Sequence, residues 1–196
     1  MEKQELTSET RHPLVIALAG FKGSGKDTVC ELLMTHYPNA KHLAFADPIK
    51  RRIMEALDLR PSEYDKMKRQ TFRSGELEIK GRDIVRMVGM TMRSYNPEQF
   101  INDVCDEINV GYESGIDTFI ISDLRFDNEV RWLYTLQAHS PFKVVIIKVT
   151  RPDVTSDGHV SEQEIPDDQC SIVLNNDGNI QQLEEEVSQI VALINQ

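Results

Sequence analysis

The apolar run Leu14-Val15-Ile16-Ala17-Leu18-Ala19 feeds directly into Gly20-Phe21-Lys22-Gly23-Ser24-Gly25-Lys26-Asp27-Thr28. The second stretch has the spacing G-x-x-x-x-G-K. A buried strand before it and a helix after it are the setting in which that spacing cradles phosphate. Its three glycines let the backbone curl until successive N–H groups converge on one point. A helix predicted over about 25–36 turns its positive N-terminal end to the same point. Lys26 is then placed to reach the β- and γ-phosphates of a nucleotide. A solvated lysine on a Gly/Ser-rich turn would share the composition but not the strand-and-helix setting. Asp27 stands where a magnesium-binding Ser or Thr is usual, with Thr28 beside it. The sequence leaves open which of the two orients a metal, directly or through water.

The remaining apolar runs extend the same pattern. Strands are expected at 42–45, 118–123, 143–149 and 171–174, each short and apolar as buried parallel strands are. Between them fall helical spacings: Ile49, Ile53 and Leu57 after an Asp47 N-cap and Pro48; Phe100, Val104 and Ile108 after Pro97; Val130, Leu133 and Tyr134; and Ile180, Leu183, Val187, Ile190 and Ile194. The strand at 118–123 ends in Asp123, a carboxylate beside the phosphate loop. The expected fold is α/β: one doubly wound parallel sheet of about five strands in a single domain over 1–196. Residues 1–12 read as a loose tail and 58–81 as a mobile polar insertion with helical potential at 62–70. Residues 151–169, polar and without a buried face, read as a lid.

Charge marks where a ligand is expected. The chain carries a net charge of −10, which argues against a polynucleotide partner. Residues 50–93 nevertheless hold 12 Lys/Arg against 7 Asp/Glu, leaving −15 for the remainder. On a helix predicted over 82–93, Arg82, Arg86, Gly89 and Arg93 project within about 60° of one another. Guanidinium forks match phosphate oxygens, and a glycine leaves room for a ligand. A solvated arginine face, with Gly89 packing on a neighbouring helix, is the alternative. The region 50–112 is thus the expected helical acceptor-binding part. No apolar run approaches the ~20 residues of a membrane span. Cys30, Cys105 and Cys170 are far apart and in no zinc-like pairing. Reduced thiols and a cytoplasmic location are therefore expected, with no membrane partner. The exposed-helix patterns are compatible with a homodimer.

Several stretches in order resemble the deoxynucleoside monophosphate kinases of tailed bacteriophages, which are P-loop nucleotide kinases. They are Gly25-Lys26-Asp27-Thr28, Phe45-Ala46-Asp47-Pro48-Ile49-Lys50, Arg82 with Gly89 and Arg93, and Asp123-Leu124-Arg125-Phe126-Asp127-Asn128-Glu129. Arg151-Pro152, His159 with Ser161-Glu162, and Asn175-Asn176-Asp177-Gly178 follow. The resemblance spans most of the chain, and Asp27 is usual in that family. It implies transfer of the γ-phosphoryl group of ATP, with Mg²⁺, to a deoxynucleoside 5′-monophosphate.

By that resemblance Lys22, Gly23, Ser24, Gly25, Lys26, Asp27, Thr28 and Asn176 would hold ATP, with Asp27 or Thr28 at the metal. Lys50, Arg82, Arg86, Arg93, Phe100, Asp123, Arg125 and Glu129 would hold the acceptor. The family often has Gln at the position of Arg86 and Trp at that of Phe100, departures that bear on substrate preference more than on reaction type. Lys26 and Arg151 are expected on the transferring group, and Arg82, Arg93 and Arg125 on the acceptor phosphate. Asp123 and Glu129 would face sugar, base or metal-bound water, and His159 would be a structural residue of the lid. Dephospho-coenzyme A kinase and a non-catalytic nucleotide-binding module are the rival readings. A GTPase switch is disfavoured because neither D-x-x-G nor N-K-x-D occurs.

Overall fold

The computed structural model describes residues 12–156, 158 and 164–196. His159, Ser161 and Glu162 lie outside the described residues, as does the expected tail up to residue 11. Strand β1 (Leu14–Ala19) is buried along its whole length. Its alternate side chains enter two different cores: Val15, Ala17 and Ala19 one, Leu14, Ile16 and Leu18 the other. A strand that is apolar on both faces can only sit in the middle of a covered sheet, and β1 does.

β5 (Thr118–Leu124) and β6 (Lys143–Thr150) flank β1, β2 (Lys41–Leu43) lies outside β5, and β7 (Ile172–Asn175) outside β6. All four pairings are parallel, and the order is β2-β5-β1-β6-β7. The chain leaves β1 toward one side and later crosses to the other, which opens a crevice at the carboxyl end of β1. The loop 20–25 sits there.

Helices α1 (Lys26–His36) and α7 (Ile180–Ile194) contribute Val29, Leu33, Leu183, Val187 and Ile190 to one core. α2 (Asp47–Ala56), α5 (Gln99–Glu113) and α6 (Asp127–His139) build the other with Ile49, Ile53, Phe100, Val104, Ile108, Val130 and Leu133. α4 (Gly81–Tyr95) adds Val85, Val88 and Met92 at the margin of that core, and its adjoining side lines a cavity. Among the described residues, no helix is long and apolar enough to cross a membrane.

Several expectations are corrected. In residues 58–81 the helix expected at 62–70 is α3 (Pro61–Arg69), and an antiparallel hairpin not expected from the sequence follows it, β3 (Thr71–Ser74) and β4 (Leu77–Lys80). The hairpin turns at Gly75, whose φ of 61° suits the first position of a two-residue turn. Its side chains are almost all exposed, so no burial period betrayed the strands. β2 ends at Leu43 rather than 45, because Phe45 and Ala46 turn their N–H groups to Asp123. Asp47 is the first residue of α2 and not its cap, which is Ala46. Leu57, Tyr134 and Ile180 are exposed instead of core. Tyr134 donates its hydroxyl to the Gln169 carbonyl at 3.0 Å.

The lid expectation is narrowed by its second half. Ile165 is only 2% exposed and belongs to the larger core. The nearly buried ammonium of Lys148 on β6 bonds Glu164 at 2.7 Å and Asp167 at 2.6 Å, just before a short 3-10 turn, Asp167–Gln169. Residues 164–169 are therefore fastened to the sheet and to α6.

Candidate active site

The loop between β1 and α1 is shaped by what cannot stand in it. Gly20 has φ 135°, and a Cβ there would lie 2.2 Å from the Val149 carbonyl oxygen and 2.9 Å from Ser24 Oγ. Gly25, the N-cap of α1, has φ 104°, and its Cβ would lie 2.3 Å from Asn176 Nδ2. Asn176 follows β7 and donates that same Nδ2 hydrogen to the Ser24 carbonyl at 2.8 Å. It thus braces the loop from behind. No side chain caps α1, so its first N–H groups face the loop's concavity. Lys26 is buried and donates to the carbonyls of Gly20 at 2.6 Å and Phe21 at 2.7 Å.

The close contacts make a stability prediction. Gly23 also has a positive φ, 87°, but nothing lies within 4 Å of its Cβ position. Gly23→Ala is expected to cost about 1–3 kcal/mol in strain. Gly20→Ala meets a fixed backbone carbonyl as well and should cost more. Urea midpoints measure the difference; equal midpoints would sink the close-contact account.

Asp27 is exposed and Thr28 half-buried in the first turn of α1. Ser24 is 1% exposed, and its Oγ has no hydrogen-bond partner among the described residues. It borders a cavity of ≈ 170 Å³ shared with Gly20, Phe21, Lys148 and Arg151, so Arg151 stands beside the loop as expected.

Bordered by Lys22, a cavity of ≈ 210 Å³ opens between β5, α2, α3 and α4. It gathers Lys22, Lys68, Arg82, Arg86, Arg93 and Arg125 against a single carboxylate, Asp123. The arginine stripe predicted on α4 is thus one wall of a cationic chamber at the mouth of the phosphate loop. Gly89 lines it too and packs closely on α2, where its Cβ would lie 2.8 Å from Ile49 Cδ1. Lys68 was missed by sequence reading because it lies in the polar α3. Desolvation lowers its ammonium pKa, and the Arg82, Lys50 and Arg125 cations lower it further, against a raising effect of Asp65. A cation held down by other cations is one that a bound anion relieves.

Four expected acceptor residues are placed differently from a simple lining. Lys50 does not border the chamber; its ammonium lies 5.7 Å from the centre of the Tyr64 ring. Phe100 is fully buried beneath Arg93, whose guanidinium is 4.6 Å from that ring and 3.9 Å from the ring of Phe126. Asp123 borders the chamber, yet its two oxygens accept the N–H groups of Phe45 at 2.7 Å and Ala46 at 3.0 Å. Burial pushes its carboxyl pKa up, against those two hydrogen bonds and Arg125. Glu129 is 0% exposed. One oxygen accepts Arg93 Nη2 at 2.7 Å, and the other accepts the N–H groups of Arg125 at 2.9 Å and Phe126 at 3.1 Å. Burial raises its pKa to about 7, against the lowering pull of Arg93 and with a raising effect of Asp123.

A five-stranded parallel sheet with a glycine loop and lysine at its central switch point defines a P-loop kinase fold. The comparisons carry this further. The chain belongs to the deoxynucleotide monophosphate kinase family, whose model matches residues 14–102 and 77–187. Membership makes it a nucleotide kinase, a phosphotransferase. No curated protein matches the sequence.

Among solved structures, a protein of Chloroflexus aurantiacus is similar at 15% identity and TM-score 0.54, over 94% of this chain and 97% of that one. TT1252 from Thermus thermophilus is similar at 20% identity and TM-score 0.51, over 93% and 98%. Dephospho-CoA kinase from Campylobacter jejuni gives 12% and 0.51, over 92% and 96%. At such identities the likeness is one of fold.

Proposed function

We propose that the protein transfers the γ-phosphoryl group of ATP to a deoxynucleoside 5′-monophosphate. An oxygen of the acceptor phosphate attacks the γ-phosphorus and the bond to the β,γ-bridging oxygen breaks. ADP and the deoxynucleoside diphosphate leave. The observation that carries the reading is the cationic chamber beside the phosphate loop, with six basic side chains and one carboxylate around ≈ 210 Å³. An acceptor phosphate is already a nucleophile at neutral pH, so the protein's work is positioning and charge neutralisation.

In this reading the loop N–H groups and Lys26 hold the ATP phosphates, Lys26 exchanging its two carbonyl partners for phosphate oxygens. Arg82, Arg86, Arg93 and Arg125 clamp the acceptor phosphate, Lys22 and Lys68 complete the wall, and Arg151 covers the transferring group. Asp27 and Thr28 present hard oxygen donors at the loop's helix end, the donor type Mg²⁺ takes. Among the described residues no group of three or more His, Cys, Asp or Glu gathers to hold a metal. Asp27 or Thr28 would hold the ion, directly or through water, together with the nucleotide. When bound, Mg²⁺ neutralises charge on the phosphate oxygens.

The test is ADP formation with every deoxy- and ribonucleoside monophosphate side by side, with dephospho-CoA as a further arm. Acceptor-dependent ADP release with one or more deoxynucleoside monophosphates is expected. Turnover with dephospho-CoA alone would overturn the acceptor class. Nucleotide binding without acceptor-dependent turnover would leave a regulatory module.

A further inference from the structure

The chamber's Arg93 and Arg125 share a feature that neither shows alone: one carboxylate, without contact to the chamber, holds both. Glu129 is fully buried at the start of α6. Its two oxygens divide between the Arg93 guanidinium and the main-chain N–H groups of Arg125 and Phe126. Phe126 is also one of the two rings that cover Arg93. The rings restrain the guanidinium to a stack, and the carboxylate pins its end. The same carboxylate, through the backbone, fixes where Arg125 leaves β5.

We propose that Glu129 is a positioning residue of the acceptor chamber, orienting Arg93 and the Arg125 main chain toward the acceptor phosphate without touching it. The proposal rests on the acceptor reading given above. It departs from the expectation that Glu129 faces sugar, base or metal-bound water, because every contact of its carboxylate is intramolecular and no surface is left for a ligand.

Two roles predict opposite signs. If Glu129 were only a counter-charge, neutralising it would leave the chamber one unit more positive and tighten anion binding. If it positions, neutralising it releases the end of Arg93 and anion binding weakens. Its ionisation lies near pH 7, raised mainly by burial and also by Asp123, and lowered by Arg93 and the Arg125 N–H group. The pH range 6–8 therefore switches it. Lys68 across the chamber is the other titratable group with a shifted pKa there: burial and the Arg82, Lys50 and Arg125 cations lower its ammonium pKa against Asp65, so charge on it favours an anion and opposes the Glu129 effect.

The experiment uses the full chain. Glu129→Gln keeps an oxygen for the Arg125 and Phe126 N–H groups while removing the charge that holds Arg93. At pH 8 it should raise the acceptor KM about tenfold while the ATP KM stays within about twofold. The wild-type fall in acceptor kcat/KM below pH 7 should flatten in the variant to the limb of the substrate phosphate, whose second pKa is about 6. In an Arg93→Gln background, Glu129→Gln should add little, because its effect passes through Arg93.

Full additivity, a tighter acceptor KM, or equal loss for ATP and acceptor would each overturn the proposal. If the variant fails to fold, calorimetry of sulfate binding to the Lys68→Met chain decides, since sulfate stays dianionic throughout and the opposing charge of Lys68 is gone. Weaker binding at pH 6 than at pH 8 supports positioning, and equal or tighter binding overturns it. Sulfate also separates the two readings: absence of any phosphorylated acceptor sinks the proposed function, while the sulfate titration still reports on Glu129.

Discussion

Lys26→Ala is expected to lower turnover by about 10²–10³-fold, the loss that follows removal of one preorganised donor at a developing charge. The structure explains why a single amine matters. Its ammonium is buried and fully engaged with the Gly20 and Phe21 carbonyls, so it lies coiled inside the loop it serves. An incoming phosphate offers stronger, charge-assisted partners at no cost in burial. The substitution also strips two carbonyls of their donor, which lowers stability by about 1–3 kcal/mol. Circular dichroism and a melting curve therefore precede the assay, and turnover is measured well below the midpoint. A folded variant with wild-type turnover would remove the loop from the chemistry.

The sheet and the loop were legible because their physics is local. β1 announces itself as six consecutive apolar residues, and Gly20, Gly23 and Gly25 are all held at positive φ, Gly20 and Gly25 also by neighbours that leave no room. The arginine stripe was legible for a similar reason: Arg82, Arg86 and Arg93 lie on one continuous helix, so their common direction follows from period alone. What failed were features that depend on a partner distant in sequence.

Lys68 and the hairpin 71–80 carry no buried period, and their place is set by α3 and α4 packing on each other. The resemblance puts Asp123 and Glu129 toward the acceptor and gives no sign of the protein groups that their oxygens also hold. These are the N–H groups of Phe45, Ala46, Arg125 and Phe126 and Arg93, contacts that no spacing encodes. Ile165 shows the same limit, since one apolar residue in a polar run has no period, yet Lys148 and Tyr134 fasten the residues around it.

Arg82→Ala is the second large effect, and the contrast with Arg93 sets its size. Arg93 is already paired with Glu129 and stacked on two rings. Among the described residues no ion pair involves Arg82, and it shares the chamber with Lys68, whose ammonium pKa it helps to lower. A guanidinium in that state gains most from an acceptor phosphate, because no existing ion pair has to be broken first. The acceptor KM is expected to rise by about 5- to 150-fold, the range of one charge-assisted contact worth about 1–3 kcal/mol.

The ATP KM should stay close to the wild-type value, because Arg82 stands at the start of α4 and not on the loop proposed for ATP. A second readout needs no turnover. With Arg82 gone, one cation that depresses Lys68 is removed, so the Lys68 ammonium should titrate at higher pH by nuclear magnetic resonance. If Lys68 moves and the acceptor KM does not, the side chains face each other as described but the acceptor phosphate binds elsewhere. If the ATP KM rises instead, the chamber belongs to the donor nucleotide and the assignment of the two sites is reversed.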